Sequence, residues 1–323
     1  MAKNQYTYAV ARIRAMEVSL FSKAVIDQLL ACKDEKQCIQ LLQEKGWGNP
    51  DTSADAEAIL TCEREKTWKT VRELVDDMSV FDVISYPDLF HNLKAAIKQA
   101  AAEKEIPGIF IQDTVISGEE MLEIVKNQEF GKLPDFMAGA AEEAYEALLH
   151  TQDGQLCDVI IDKAALDAVY EAGKKTDDAI IRDYAESTVA VADIKIAVRS
   201  QKTAKSMEFM KKAMAECDSV SIDALMKAAL NGMDAIREYL EGTEYKGGAE
   251  ALKESASAFE CWCDNRIIET IRPQLYNPFS IGPVVAYVLA RENEIKTVRI
   301  ILTGKQNELP EESIRERVRE MYV

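Results

Sequence analysis

Asn277 to Val323 reads NPFSIGPVVAYVLARENEIKTVRIILTGKQNELPEESIRERVREMYV, and the reading of this stretch decides the fold. Val285, Val288, Leu289, Ile295, Val298 and Leu302 recur mostly at intervals of three or four, which predicts a helix with an apolar stripe along one side. Pro310 suits a first helical position, and Glu311 and Glu312 follow where the helix dipole favours negative charge. Ile314, Val318 and Met321 are the predicted buried face of that second helix. The stretch as a whole predicts a helix, a loop and a helix.

Working outward, 323 residues suffice for two or three domains or for one body of repeated helical units. Asp and Glu outnumber Lys and Arg by 56 to 39, a formal charge of -17. That balance argues against phosphate backbones and anionic membrane surfaces as direct partners and favours basic protein surfaces. Seven cysteines, an odd number, fit reduced thiols in a cytoplasmic protein better than a disulfide framework. The first residues, MAKNQYTYAVARIRAMEVSLF, mix charges among apolar residues and lack the core of an export signal. The longest apolar runs, such as Val284 to Ala290, fall far short of the roughly 20 residues that cross a bilayer.

Residues 6 to 47 read as helices ending at Gly46-Trp47, and a further helix is expected up to Val75 after the turn residues Asn49-Pro50-Asp51. Asp76–Gln99 then lies without gaps on Asp177–Ser200, an offset of 101, with identities at Asp76/Asp177, Asp77/Asp178, Asp82/Asp183, Lys94/Lys195 and Ala96/Ala197. The same step leads from Lys195 to Lys296, so an acid-or-amide, aliphatic, lysine triplet occurs three times: Asn92-Leu93-Lys94, Asp193-Ile194-Lys195 and Glu294-Ile295-Lys296. A second recurrence is a short amphipathic helix followed by an aromatic, at Leu42/Trp47, Val125/Phe130, Leu240/Tyr245 and Val318/Tyr322. The second of these helices opens on Ser117-Gly-Glu-Glu120, a capping-box pattern. Glu105 to Val115 is the one run that resembles a strand, and an extended connection is expected there.

These patterns predict an all-α chain of three similar helical lobes with approximate three-fold repetition, at 1–130, 131–245 and 246–323. Breaks are expected at Gly131–Pro134 and Thr243–Gly248. The N-terminal helix around Arg12-Ile13-Arg14 is an extra half-unit, expected to pack against the short last lobe and close the body.

Chemistry-bearing patterns are sparse. Gly304-Lys305 is followed by Gln306, and Arg299 stands where a phosphate-binding loop needs its first glycine, so no nucleotide site is read. His91 and His150 are far apart, and Cys261-Trp262-Cys263 has no second ligand pair near it. Asp88 and His91 supply half of a bridged metal pattern whose other half is missing. Asp76, Asp77, Asp177, Asp178 and His91 are the residues an acid-lined, metal-dependent helical enzyme would use, whereas as helix starts the Asp pairs are simply favoured by the dipole. A helical scaffold with no catalytic role is a third reading. No cofactor is expected.

The run EIKTVRIILTGK from Glu294, followed by LPEESI from Leu309 and the closing Tyr322, resembles the C-terminal region of the C subunit of V-type and archaeal-type ATPases and ATP synthases. Tyr8 to Ala15, YAVARIRA, is similar to that family's N-terminal arginine-rich helix. The resemblance implies a funnel-like body of three helical lobes that seats the central shaft and rests on the ring of membrane proteolipid subunits. It implies a non-catalytic rotor part on the cytoplasmic side, peripheral to the membrane, linking ATP hydrolysis or synthesis to proton or sodium transport. The expected partner-interface residues are Arg12, Arg14, Lys94, Lys195, Lys296 and Arg299.

Overall fold

Polar caps set the helix starts. In the computed structural model, which describes residues 6–52, 55–102, 104 and 106–323, the Asp34, Asp55, Asp153 and Asp178 carboxylates and the Ser117, Ser206, Ser221 and Ser255 hydroxyls each accept a backbone N–H from the first turn they precede. The helices in order are α1 (Thr7–Glu17), α2 (Lys23–Ala31), α3 (Glu35–Glu44), α4 (Ala56–Leu74), α5 (Asp82–Ala102), α6 (Gly118–Lys126), α7 (Asp135–Thr151) and α8 (Gly154–Lys174). They continue as α9 (Ala179–Lys202), α10 (Met207–Ala213), α11 (Ile222–Asn231), α12 (Met233–Glu241), α13 (Lys246–Glu254), α14 (Ala256–Ile271), α15 (Gly282–Gln306) and α16 (Glu311–Arg315). No strand occurs among the described residues. Ile106 to Val115 is non-helical connection, while Glu105, the first residue of that expected run, lies outside the described residues.

Helix ends are equally local. Gly46 takes a left-handed φ of 85°, Trp47 N–H donates to Leu42 O at 3.0 Å and Gly46 N–H to Gln43 O at 2.9 Å, a Schellman stop that folds Trp47 back under α3. The long helices α5, α9 and α15 close on the same bond, Lys104 N–H to Gln99 O at 3.3 Å, Lys205 N–H to Ser200 O at 2.9 Å and Leu309 N–H to Gly304 O at 2.9 Å.

Two compact units result, one from residues 1–78 with 250–323 and the other from residues 79–249. In the first, the two ends of the chain share a core. Ile26, Leu29, Leu30, Cys38, Ile39, Leu42 and Trp47 pack with Ile59 and Leu60 of α4 and with Ile295, Val298, Ile301 and Leu302 of α15. Residues Ile26 to Trp47 thus pack against the last long helix. In the second unit, α5 through α8 share a core of Leu89, Phe90, Leu93, Ile97, Met121, Val125, Phe130, Met137 and Ile161. There α9 is bounded by α8 and by the short helices α10, α11 and α12.

The deciding stretch folds differently from its reading in two respects. α15 has no single stripe: Gly282 to Arg291 are all buried, as are most residues beyond, because neighbours cover it on nearly every side. The second helix is a turn and a half, with Pro310 outside it as the N-cap residue. Ile314 is buried and seats on Gly304, where an added Cβ would lie 2.6 Å from the Ile314 side chain. Val318 and Met321 are only partly buried and belong to a non-helical tail.

Ile97 on α5 and Val198 on α9, equivalent in the sequence offset, are 0% and 2% exposed. Truncating either to alanine is expected to destabilise the chain by about 1–4 kcal/mol, Ile97 nearer the top, read as a shift in denaturation midpoint.

Candidate functional site

The polar residues buried in these cores do not line a cleft; they fasten segments together. Arg291 of α15 reaches Glu63 of α4 with Nη2 at 2.5 Å from Oε2, and its Nη1 pairs with Glu294 one turn along its own helix. Its guanidinium lies 5.1 Å from the Trp47 ring centre, and Trp47 stacks on Phe21 at 4.8 Å. Glu294 Oε2 accepts the Phe21 backbone N–H at 2.6 Å, and Glu63 Oε1 accepts Gly48 N–H at 2.9 Å and Lys66 Nζ at 2.6 Å. One buried cation thereby joins α4, α15 and two N-terminal turns. Burial raises Glu294 to about 7, although Arg291 and the Phe21 N–H pull the other way. Burial also pulls Arg291 down, but Glu294, Tyr287 and Glu63 together lift it above its ordinary value.

The same unit has two further fastenings. Arg14 of α1 pairs with Glu17 at 2.7 Å and donates to Gln274 O at 2.5 Å and Asn277 O at 2.9 Å, holding the loop before α15. The tail after α16 is tied by Arg319 to Asp264 at 2.7 Å, by Asn293 Nδ2 to Glu320 O at 2.8 Å and by Glu320 N–H to Asn265 Oδ1 at 2.9 Å.

The triplets acquire a physical meaning that the lysines alone do not have. Asn92 and Asp193 are 0% exposed and Glu294 is 2% exposed, each on a long helix and each accepting a backbone N–H from another segment. Asn92 Oδ1 accepts Ile111 N–H at 2.8 Å, Asp193 Oδ1 accepts Ala215 N–H at 3.1 Å, and Glu294 takes Phe21 as described. In the third case the bonded segment comes from the start of the chain. Sequence reasoning stressed the lysines and missed these polar groups, whose signal was available: each sits three or four residues from buried apolar positions such as Leu89 and Ala96, or Val189 and Ala197.

The six expected interface residues fall in both units. Arg12 is exposed on α1, and Arg14 is committed to Glu17 and the two carbonyls. Lys94 pairs with Asp162 of α8, Lys296 with Asp264 at 2.6 Å, and Arg299 with Glu57 of α4 at 3.1 and 3.0 Å. Lys195 is half-buried on α9 and also makes contacts. Arg14, Lys94, Lys296 and Arg299 thus each bond within their own unit. Arg299 and Glu57 also border a groove of about 280 Å³ with Glu35, Asp55 and Gln306.

The residues of the enzyme reading are placed as follows. Asp76, Asp77 and Asp177 are exposed, Asp178 caps α9, and His91 Nε2 lies 3.1 Å from Ile109 O. Burial raises Asp178 somewhat, against its backbone bonds. Among the described residues no group of three or more His, Cys, Asp or Glu is placed to hold a metal ion, and no helix is long and apolar enough to cross a membrane.

Among the described residues the chain is all-helical, and its buried charges join distant segments. A family model described as "ATP synthase (C/AC39) subunit" matches residues 9–317, and the chain belongs to that family, whose members are structural rather than catalytic. It is 23% identical over 320 residues to the C subunit of the V-type sodium ATPase of Enterococcus hirae, spanning 96% of this chain and 97% of the relative. It is 24% identical over 345 residues to the C subunit of the A-type ATP synthase of Methanocaldococcus jannaschii, spanning 96% and 85%. To the C subunit of the V-type ATP synthase of Thermus thermophilus it is 23% identical over 235 residues, spanning 71% and 70%.

Proposed function

We propose that this chain is the rotor adaptor of a V-type or A-type rotary ATPase, seating the central shaft and resting on the membrane proteolipid ring. It works from the cytoplasmic side and couples ATP hydrolysis or synthesis to proton or sodium movement. The observation that carries this reading is the fastening of the chain's two ends by Arg291, Glu63 and Glu294, together with family membership along nearly the whole length. A part that carries torque must not shear between its own segments, and buried, multiply bonded ion pairs resist that motion in a way exposed pairs do not.

The proposal retains three lobes at 1–130, 131–245 and 246–323. The three buried triplet residues, with one bonded segment each, support the repeat, and the N-terminal segment serves as the missing piece of the third lobe. Of the six expected interface residues, Arg12 is the one we assign to direct partner contact, since Arg14, Lys94, Lys296 and Arg299 serve within the chain and Lys195 is half-buried and also makes contacts. An acidic body of charge -17 is steered toward basic patches on shaft and ring, while apolar burial of roughly 1,200–2,000 Å² per interface holds them.

The test is binding by the purified full-length chain to the shaft proteins of its own complex and, separately, to the detergent-solubilised ring. Capture of both, weakened by Arg12→Glu at one of them, is the expected result. Binding to neither defeats the adaptor reading.

A further inference from the structure

Asp193 differs from its two counterparts in what surrounds its second oxygen. Its Oδ1 accepts Ala215 N–H at 3.1 Å, but Oδ2 is fully buried and has no hydrogen-bond partner. At Glu294 a buried guanidinium supplies the counter-charge. At Asn92 the position is an amide, with Oδ1 accepting from Ile111 N–H while Nδ2 donates to Ile111 O at 2.9 Å and Thr114 Oγ1 at 3.0 Å. Asp193 has neither a cation bonded to it nor an amide's neutrality. A carboxylate left like this in an apolar core is strongly disfavoured, and taking up a proton is the cheapest remedy.

The surroundings agree. Lys163 and Asp167 reach toward Asp193 from α8, but they pair with each other at 2.6 Å. Glu216 faces it from the segment after α10 and adds to its difficulty as an anion, while the neighbouring Cys217 thiol, pushed up to about 12 mainly by burial, stays neutral there and offers no relief. On α10, α11 and α12 the residues Glu208, Lys211, Lys212, Asp223, Lys227, Asp234, Glu238 and Glu241 are exposed, and Arg237 pairs with Asp234. On α5, Lys94 and Lys98 pair with Asp162 and Asp158 of α8.

We propose that Asp193 is held as a neutral carboxylic acid, accepting one backbone N–H at α9 without a charge, as the Asn92 Oδ1 does at α5, and that its ionisation loosens residues 203–249 from that helix. Burial, opposed by the Ala215 bond and Lys163, moves its titration up to about 8. Because the folded value lies above the ordinary 3.8, the stability this group contributes is complete below the carboxylate range and is lost as pH rises through about 8. The segment after α9 therefore carries a latch that alkaline conditions loosen, a property that stands independently of the partners proposed above.

The experiment uses the full-length chain and its Asp193→Asn variant, whose amide cannot ionise. Unfolding equilibria between pH 4 and 10 are compared at each pH, so that all other titrations cancel. The wild-type unfolding constant is expected to rise relative to the variant by up to tenfold per pH unit from about 4 to about 8, then level off. Hydrogen exchange at the Ala215 amide should follow the same course. A ratio that stays constant across that range overturns the proposal. Should the variant fail to fold, the carbon-13 shift of the Asp193 carboxyl in the native chain decides instead: protonated at pH 6.5 supports the latch, ionised at pH 6.5 refutes it.

Discussion

Replacing Arg291 with methionine is expected to destabilise the unit built from the two chain ends by about 3–5 kcal/mol, the cost of stranding buried charge. The variant leaves Glu63 and Glu294 facing each other with no guanidinium between them, and it removes the cation from the Trp47 ring. Lys66 still reaches Glu63, so the heavier burden falls on Glu294, already raised to about 7 by burial in the native chain. A carboxyl whose folded value is raised contributes stability in acid that is lost as pH rises through that value. Without Arg291 that value climbs further, so the deficit should shrink toward pH 5 and be largest near pH 8. Urea unfolding of native and variant chains at both pH values reads this directly. An equal deficit at both would mean that Arg291 acts through packing and not through charge.

The all-helical fold class was legible because it rests on local signals, cap residues and helical spacing, whereas the fourth helix-and-aromatic pair fails at Val318, which lies in a non-helical tail. Trp47, Phe130, Tyr245 and Tyr322 are all buried where the pattern places them. What sequence could not show is where a charge ends up. Arg291 and Glu294 look like the solvated side of an apolar stripe until α4 brings Glu63 across from 228 residues away. Asn92, Asp193 and Glu294 share a position but not a side chain, so the period was visible in the lysines and obscured in the residues that bond. The short α16 has a tertiary cause as well. RERVREMYV is periodic enough for a helix, yet Glu320 N–H is taken by Asn265 Oδ1 and Arg319 by Asp264, which draws the tail out along α14.

Cutting the chain after Thr303 is expected to abolish coupling altogether. The cut removes Lys305, which donates to Leu30 O and Cys32 O at 2.6 Å each, and Ile314, which completes the shared core. It also removes Arg319 and Tyr322, and with them the tail that ties α14 to α15. Those losses strike the joint between the two chain ends, on which the adaptor reading depends. The decisive measurement is the ATP hydrolysis rate beside ATP-driven ion uptake in vesicles reconstituted with the complete complex, carrying either the full-length or the truncated chain, with the full set of proteins verified on the same sample. The adaptor account predicts that hydrolysis in the soluble head persists while uptake is lost with the truncated chain. Normal uptake by vesicles containing only the truncated chain contradicts it.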